Sequence, residues 1–305
     1  MRIGTTAVET GGAQALGKLA DQLRRAADDG FASAWMSNIF GLEALTSLAV
    51  AGSQVPGIEL GTAVIPTYPR HPAVLAQQAL TAALAVGPDR LVLGIGLSHK
   101  IVIEDMYGYS FDKPVRHMRE YLSVLLPLLD GTPVSVDGST LSAHIGLYTP
   151  RAGRVPVLLA AMAPRMLTLA GEQTDGTVLW MTGPATVRDY VAPAISAAAS
   201  AAARPSPRIV CALPVCVTND PAAARASAAE VFAMYGQLPS YRAMLDREGA
   251  AGPGDVAIVG DEDAVAAQIQ ALADAGVTDF AASEFAQGKD RERTRSLLKA
   301  VIAGT

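Results

Sequence analysis

The sequence predicts a (β/α)8 barrel, and three observations carry that prediction. A helical stretch runs into a glycine and then a strand-like stretch three times: "AADDGFASAWM" at 26–36, "EQTDGTVLWM" at 172–181 and "LADAGVTDFAA" at 272–282. Five more strand-like runs, separated by helical stretches, bring the strands to eight. No linker or break in composition divides the 305 residues, as the two halves of a doubly wound sheet would require. A single domain over 1–305 is therefore expected.

Taken in order, the first strand is "RIGTTAV" at 2–8. Gly30 suits the left-handed residue that closes the first helix, and the strand after it ends at Trp35 and Met36. "IELGTAVI" at 58–65 is the third strand, and a helix opens at Pro72. "RLVLGIG" at 90–96 is the fourth. The helix after it, "PVRHMREYLSVLLPLL", sets Val115, Met118, Leu122, Leu125 and Leu129 on one face. Pro114 fits its first turn and Pro127 should bend its end. His117, flanked by Arg116, Arg119 and Glu120, is expected at the surface. "DGTPVSVDGSTLSAHIGLYTP", 130–150, has the composition of a hairpin inserted between units.

"VPVLLAA" at 155–161 is the fifth strand, and Pro164 can open the helix that follows. Gly176 and Gly276 make the turns into the sixth and eighth. "PRIVCALPVCV" at 207–217 is the seventh, after an Ala-rich helix that belongs to the outer ring. Cys211 and Cys216 lie five apart on that strand, hence on opposite faces, and cannot bridge each other.

Half of the residues are hydrophobic, the formal charge is -5 and the pI is about 5.4. A chain of this length can bury a full core. An acidic balance with no Lys/Arg block speaks against nucleic acid or an anionic membrane as partner. No apolar run reaches the roughly 18 residues of a membrane helix. "MRIGTTAVET" lacks the apolar core of a signal peptide, so a cytoplasmic location is expected.

The stretch "DRLVLGIGLSHK", 89–100, admits three chemical readings. A dinucleotide loop needs a third glycine where His99 stands. A nucleophile elbow needs glycine where Lys100 stands, and His71, His117 and His144 carry no local signature of a hydrolase base. The end of a barrel strand fits: Gly94 and Gly96 would let a flat ligand approach the backbone, with Ser98 and His99 at its edge. Other strand ends supply Asn38, the "AVIPTYPRHP" segment, "AAMAPRM" with Arg165 beside a helix start suited to a phosphate, and "WMTGP" with Trp180 and Thr182. Trp35 and Trp180 could each be core or ligand wall. No His/Asp/Glu cluster has metal-ligand spacing, so no metal is expected.

Read together, "GTAVIPTYPRHPAVLAQQALTAAL", "GPDRLVLGIGLSH", "FDKPVRHMREYLSVLLPLLDGTPVSVDG" and "VPVLLAAMAPRMLTLAGEQTDGTVLWMTGP" resemble the luciferase-like monooxygenase superfamily, and within it the coenzyme F420-dependent oxidoreductases. The resemblance runs from residue 2 to about 285. It implies a barrel of the bacterial luciferase-like type with a tricyclic flavin or deazaflavin ring in its C-terminal mouth. A non-prolyl cis peptide at Ala63-Val64 would back the ring. Gly96, Leu97, Ser98 and His99 would line its edge, while Ala160, Ala161, Met162, Arg165 and the stretch from Gly176 through Trp180 to Thr182 would hold the tail and phosphate.

The same resemblance implies hydride transfer between F420 and an electron-poor small molecule such as an enone, imine, carbonyl or nitro compound, by a homodimer. Many relatives carry Asp-His after the second-strand tryptophan, where this chain has Asn38-Ile39. Asn38 would then bond the ring or substrate. His99, which aligns with a catalytic acid of sugar-phosphate-acting relatives, becomes the candidate proton donor, with an ordinary imidazole pKa of about 6.5. An FMN-dependent monooxygenase and a non-catalytic cofactor carrier are the alternatives. The substrate-choosing loops, 99–113 and 236–256, carry no motif.

Overall fold

The computed structural model describes residues 1–8 and 10–304. Eight parallel strands close into a barrel: β1 (Arg2–Ala7), β2 (Ser33–Met36), β3 (Glu59–Thr62) with its continuation β4 (Ile65–Pro66), β5 (Leu91–Gly96), then β8 (Val157–Leu159), β9 (Gly176–Trp180), β10 (Arg208–Val217) and β12 (Asp279–Glu284). Closure is made by β12 pairing with β1, Arg2 opposite Asp279 and Gly4 opposite Ala281. Between them β6 (Val134–Asp137) and β7 (Ser142–Ile145) form an antiparallel ribbon. A short strand absent from the sequence prediction, β11 (Ile258–Gly260), pairs with the far end of β10 outside the ring.

Alternation along the strands divides the core in two. One set of side chains faces the helices and forms the large outer core. The other faces the barrel axis, where Trp35, Val92, Leu158, Val178, Val210, Ala212 and Ala281 pack together. Trp35 is 1% exposed, and its indole N–H donates to Ser33 Oγ at 2.9 Å. Of its two readings, it is core. Gly61 leaves the space this ring fills, since a Cβ there would stand 2.2 Å from the indole.

The N-terminal end of the barrel is plugged by charge. Arg208 bonds Asp279 at 2.7 Å and Glu59 at 2.9 Å, and Arg2 reaches the same two carboxylates at 3.2 and 3.3 Å. Burial works against the Arg208 charge, but the Asp279 and Glu59 carboxylates outweigh it and raise its pKa. The opposite, C-terminal mouth is where barrels of this kind take their ligands.

The helix Pro114–Leu129 buries Met118, Leu122, Leu125 and Leu129, on the face the sequence predicts. It continues through Pro127, which lies in the last turn. His117 departs from expectation: it is 8% exposed, not a surface residue. Its charged neighbours in sequence point around the helix, whereas its own ring lies on the side of Tyr121, one turn on. Cys211 and Cys216 are free and buried in different clusters.

Candidate active site

At the mouth, the third strand is interrupted. β3 stops at Thr62, the Ala63-Val64 peptide is cis, and β4 resumes at Ile65. Along β5, Leu93 and Ile95 bond toward β8, which leaves Gly94 facing the interruption. Thr62 Oγ1 fills the gap, accepting from Gly94 N at 2.9 Å and donating to Gly94 O at 2.8 Å.

The glycines of β5 serve this bulge. A Cβ at Gly94 would stand 1.9 Å from the Thr62 carbonyl oxygen, and one at Gly96 would stand 2.7 Å from Val64 Cγ2 and 3.1 Å from Ala160 Cβ. The expectation that they admit a ligand to the backbone is corrected accordingly: they admit Thr62 and Val64. The surface offered to a ligand is what the bulge pushes forward, Ala63 and Val64, which pack, as Trp180 does, against the axial cluster.

Opposite the bulge stands a run of rings from four parts of the chain. His99, at the end of β5, meets Tyr241 at 5.5 Å between centroids, and Tyr241 meets Tyr235 at 5.3 Å. Tyr235 and Phe232 both stand edge-on to Trp180 at 5.6 Å, and Phe232 reaches Phe285 at 6.2 Å. Phe232, Tyr235 and Tyr241 were missed from sequence. Their spacing in "VFAMYGQLPSY" is a usable signal, because a chain with only 5% aromatic residues concentrates three in ten positions after a barrel strand.

Burial lowers the pKa of His99 below 6.5, so its imidazole is neutral at neutral pH, unlike the unshifted group expected from sequence. Burial likewise raises the phenol pKa values of Tyr235 and Tyr241, keeping both protonated. The wall carries no charge.

On the flank between β4 and β5, Thr67 donates its N–H to the Gly96 carbonyl, and its hydroxyl contacts His117 Nε2 at 3.0 Å. The His117 ring lies flat on Tyr68, 4.0 Å between centroids and 6° from parallel, and Phe111 covers the far side of Tyr68 at 5.4 Å. Burial, ahead of the repulsion from Asp112 and Glu104, pushes the Tyr68 phenol up to about 12.

Other site residues expected from sequence divide sharply. Asn38 Oδ1 accepts Ala44 N–H at 3.0 Å at the start of the helix Ala44–Gly52, which fixes the amide and leaves its Nδ2 for a ligand. Ser98 takes a left-handed conformation, φ 62°, at the turn out of β5, while Leu97 packs against the outer core. Met162 is half-buried and its carbonyl accepts the Tyr190 hydroxyl at 2.9 Å. Arg165 is exposed in the first turn of the helix Pro164–Gln173, whose start has no side-chain cap.

Three more of the expected residues are turned from the mouth or lie away from it. Gly176 begins β9 at the plugged end, beside Arg208, because only the last residue of a parallel strand reaches the mouth. Ala161 is fully buried in the outer core, where strand alternation sends its side chain away from the axis. Thr182 is fully buried too, its hydroxyl turned back to the Trp180 carbonyl at 3.3 Å.

Several buried polar atoms around this mouth lack partners: Thr6 Oγ1 near the end of β1, Thr10 Oγ1 just beyond it, Tyr68 Oη and Trp180 Nε1. Buried polar groups are ordinarily bonded. Orphans of this kind, a bulge flanked by small residues and an uncapped helix start together fit a flat ring with polar edges and an anionic tail. An open hollow of about 720 Å³ lies elsewhere, at the plugged end beside Arg2, Val277 and Thr278. Among the described residues no group of three or more His, Cys, Asp or Glu side chains could hold a metal.

A closed parallel barrel with its plug at one end and an aromatic, partly unsatisfied mouth at the other has the design of the (β/α)8 barrel enzymes. Within that class the chain belongs to the luciferase-like monooxygenase family, whose model matches residues 1–279. It is an enzyme of that oxidoreductase family.

The chain is 26% identical to the 5,10-methylenetetrahydromethanopterin reductase of Methanolobus tindarius, over 94% of this chain and 96% of that one. Its fold matches the coenzyme F420-dependent tetrahydromethanopterin reductase of Methanopyrus kandleri with TM-score 0.80, 22% identity and coverage of 98% and 97%. It also matches the FMN-bound oxygenating constituent of 3,6-diketocamphane monooxygenase from Pseudomonas putida, with TM-score 0.77, 17% identity and coverage of 99% and 96%.

Proposed function

We propose that this enzyme is a coenzyme F420-dependent oxidoreductase acting on a small electron-poor organic substrate. The observation that carries the proposal is the Ala63-Val64 bulge facing an uncharged aromatic wall, in a chain whose full-length relative is a methylenetetrahydromethanopterin reductase. When bound, reduced F420 supplies a hydride.

The residues of the chain supply position and protons. Ala63 and Val64 would hold one face of the ring, and Trp180 and Thr6 would offer hydrogen bonds to polar atoms. Arg165 and the uncapped N–H groups of its helix would take the phosphate. Asn38 Nδ2 would donate to the ring or the substrate, the oxygen of the same amide being held by Ala44. The candidate proton donor is a ring nitrogen of His99, at which the proton becomes transferable when the imidazole is charged.

The test is a titration of pure protein with F420 and with FMN, followed by reoxidation of reduced F420 across enones and nitroaromatics. Quenching of F420 fluorescence and faster reoxidation are expected. Tight FMN binding with no F420 binding would replace this proposal by an FMN-dependent monooxygenase, the reading favoured by the FMN-bound structural neighbour.

The proposal includes a cytoplasmic homodimer. The exposed apolar side chains Val50, Val74 and Leu84 on outer helices, Ile145 at the end of β7 and Tyr148 just beyond it support the dimer. Sedimentation equilibrium tests it, and a monomer at all concentrations would remove it. Among the described residues no helix is long and apolar enough to cross a membrane.

A further inference from the structure

The aromatic wall bears on the substrate, which the F420 reading leaves open. Five of the chain's aromatic side chains, Trp180, Phe232, Tyr235, Tyr241 and Phe285, join His99 in one chain of ring contacts. All six are only partly buried, so each has surface left to offer. Four of the cations on the same elements are engaged elsewhere: Lys100 pairs with Glu104, Arg242 with Asp246, Arg295 with Asp29 and Glu284, and Arg247 lies over the Tyr190 ring.

Further out, the loops of the same mouth expose large apolar side chains: Ile39 and Phe40 after β2, Ile101 and Met106 after β5, Val231 and Met234 after β10. An anionic substrate entering here would lose water and meet no free cation among these groups. A flat, neutral one would exchange water for ring faces and edges.

We propose that the substrate is a flat, uncharged, conjugated molecule of the aryl or cyclic enone class, held against Tyr235 and Tyr241 on the side of the mouth opposite the Ala63-Val64 bulge. This rests on the oxidoreductase reading above for its redox role, but the preference of the wall is a property of these side chains alone. His99, at the β5 end of the wall, stands where a neutral imidazole N–H can donate to the oxygen of such a molecule.

Two probes of one skeleton separate charge from shape: benzylideneacetone, flat and neutral, and trans-cinnamate, flat and anionic. Both are titrated calorimetrically into the wild-type protein, with and without F420, while F420 binding is followed separately by fluorescence. Benzylideneacetone is expected to bind at least about tenfold more tightly than cinnamate. Tyr241→Leu should weaken it about three- to tenfold, the worth of one aromatic pairing, with F420 binding unchanged. Tyr241→Phe, which keeps the ring, should bind it nearly as wild type does.

Equal or tighter binding of cinnamate, no binding of either probe, or a Tyr241→Leu protein that is folded and binds benzylideneacetone unchanged would overturn the proposal. Discrimination between the probes by a protein that takes up no F420 would sink the cofactor reading and leave the substrate class standing.

Discussion

One hydroxyl holds both backbone groups of Gly94: Thr62 Oγ1 accepts its N–H at 2.9 Å and donates to its carbonyl at 2.8 Å. The bulge that shapes the mouth removes a rung of the β3–β5 ladder, and Thr62 replaces that rung with its side chain. Thr62→Val keeps the shape but strands two buried backbone groups. A loss of about 2–6 kcal/mol is expected in urea unfolding, at about 1–3 kcal/mol for each group left unsatisfied.

Gly94→Ala tests the same place by volume. Its Cβ would meet backbone, the Thr62 carbonyl oxygen at 1.9 Å, which cannot rotate away as a side chain can. Overpacking of a core costs about 1–3 kcal/mol where neighbours can yield, so at least the upper part of that range is expected here. Urea unfolding measures it, and a variant as stable as wild type would show that the bulge can shift.

His117 makes stability depend on pH. Its ring is buried against Tyr68 and its pKa is pushed down to about 4 by burial, only partly offset by Glu120. The unfolded chain therefore takes up a proton below about 6.5 that the folded chain refuses. The contribution is fully present above that pH and is lost as pH falls from about 6.5 toward 4. Urea unfolding at pH 7 and pH 4.5 should show a larger drop for wild type than for His117→Gln; equal drops would show that His117 accepts its proton in the folded state.

The barrel was legible because its signals are local. Apolar strand runs, glycines at 30, 176 and 276 and prolines at helix starts each act within a few residues. Three things were not legible, for one physical reason. Gly176 belongs to the block that ends in Thr182, but it opens its strand, and barrel closure sets it beside Arg208 at the plugged end. His117 sits among charges in sequence yet packs on Tyr68, far from it along the chain. The aromatic wall joins residues 99, 180, 232–241 and 285, whose meeting is set by barrel closure. The cis Ala63-Val64 bond stands where the family resemblance, rather than any local pattern, puts it.

Asn38 is asked to do two things, and two substitutions separate them. Its Oδ1 supports a helix start through Ala44 N–H, worth about 1 kcal/mol on the scale of side-chain caps. Asn38→Ala should lose that stability and any ligand bond together. Asn38→Asp keeps the acceptor, removes the Nδ2 donor and adds a carboxylate at a helix start, so it should be at least as stable as wild type while binding F420 or substrate about tenfold more weakly. Wild-type affinity in a stable Asn38→Asp protein would reduce Asn38 to a helix support.

His99 can be judged by the direction of a pH profile. Burial lowers its pKa below 6.5, so the charged form, the one able to give up a proton readily, grows only as pH falls below that value. If His99 delivers the proton, kcat of the wild type should rise as pH is lowered through the region below about 6.5, and His99→Gln should be slower there by about a hundredfold, the scale of general-acid catalysis. At pH 8 the two proteins should differ much less, since a neutral imidazole and an amide both offer an N–H donor. A wild-type rate that stays flat from pH 5 to 8, matched by His99→Gln, would assign the proton to substrate or solvent and leave His99 as the polar end of the aromatic wall.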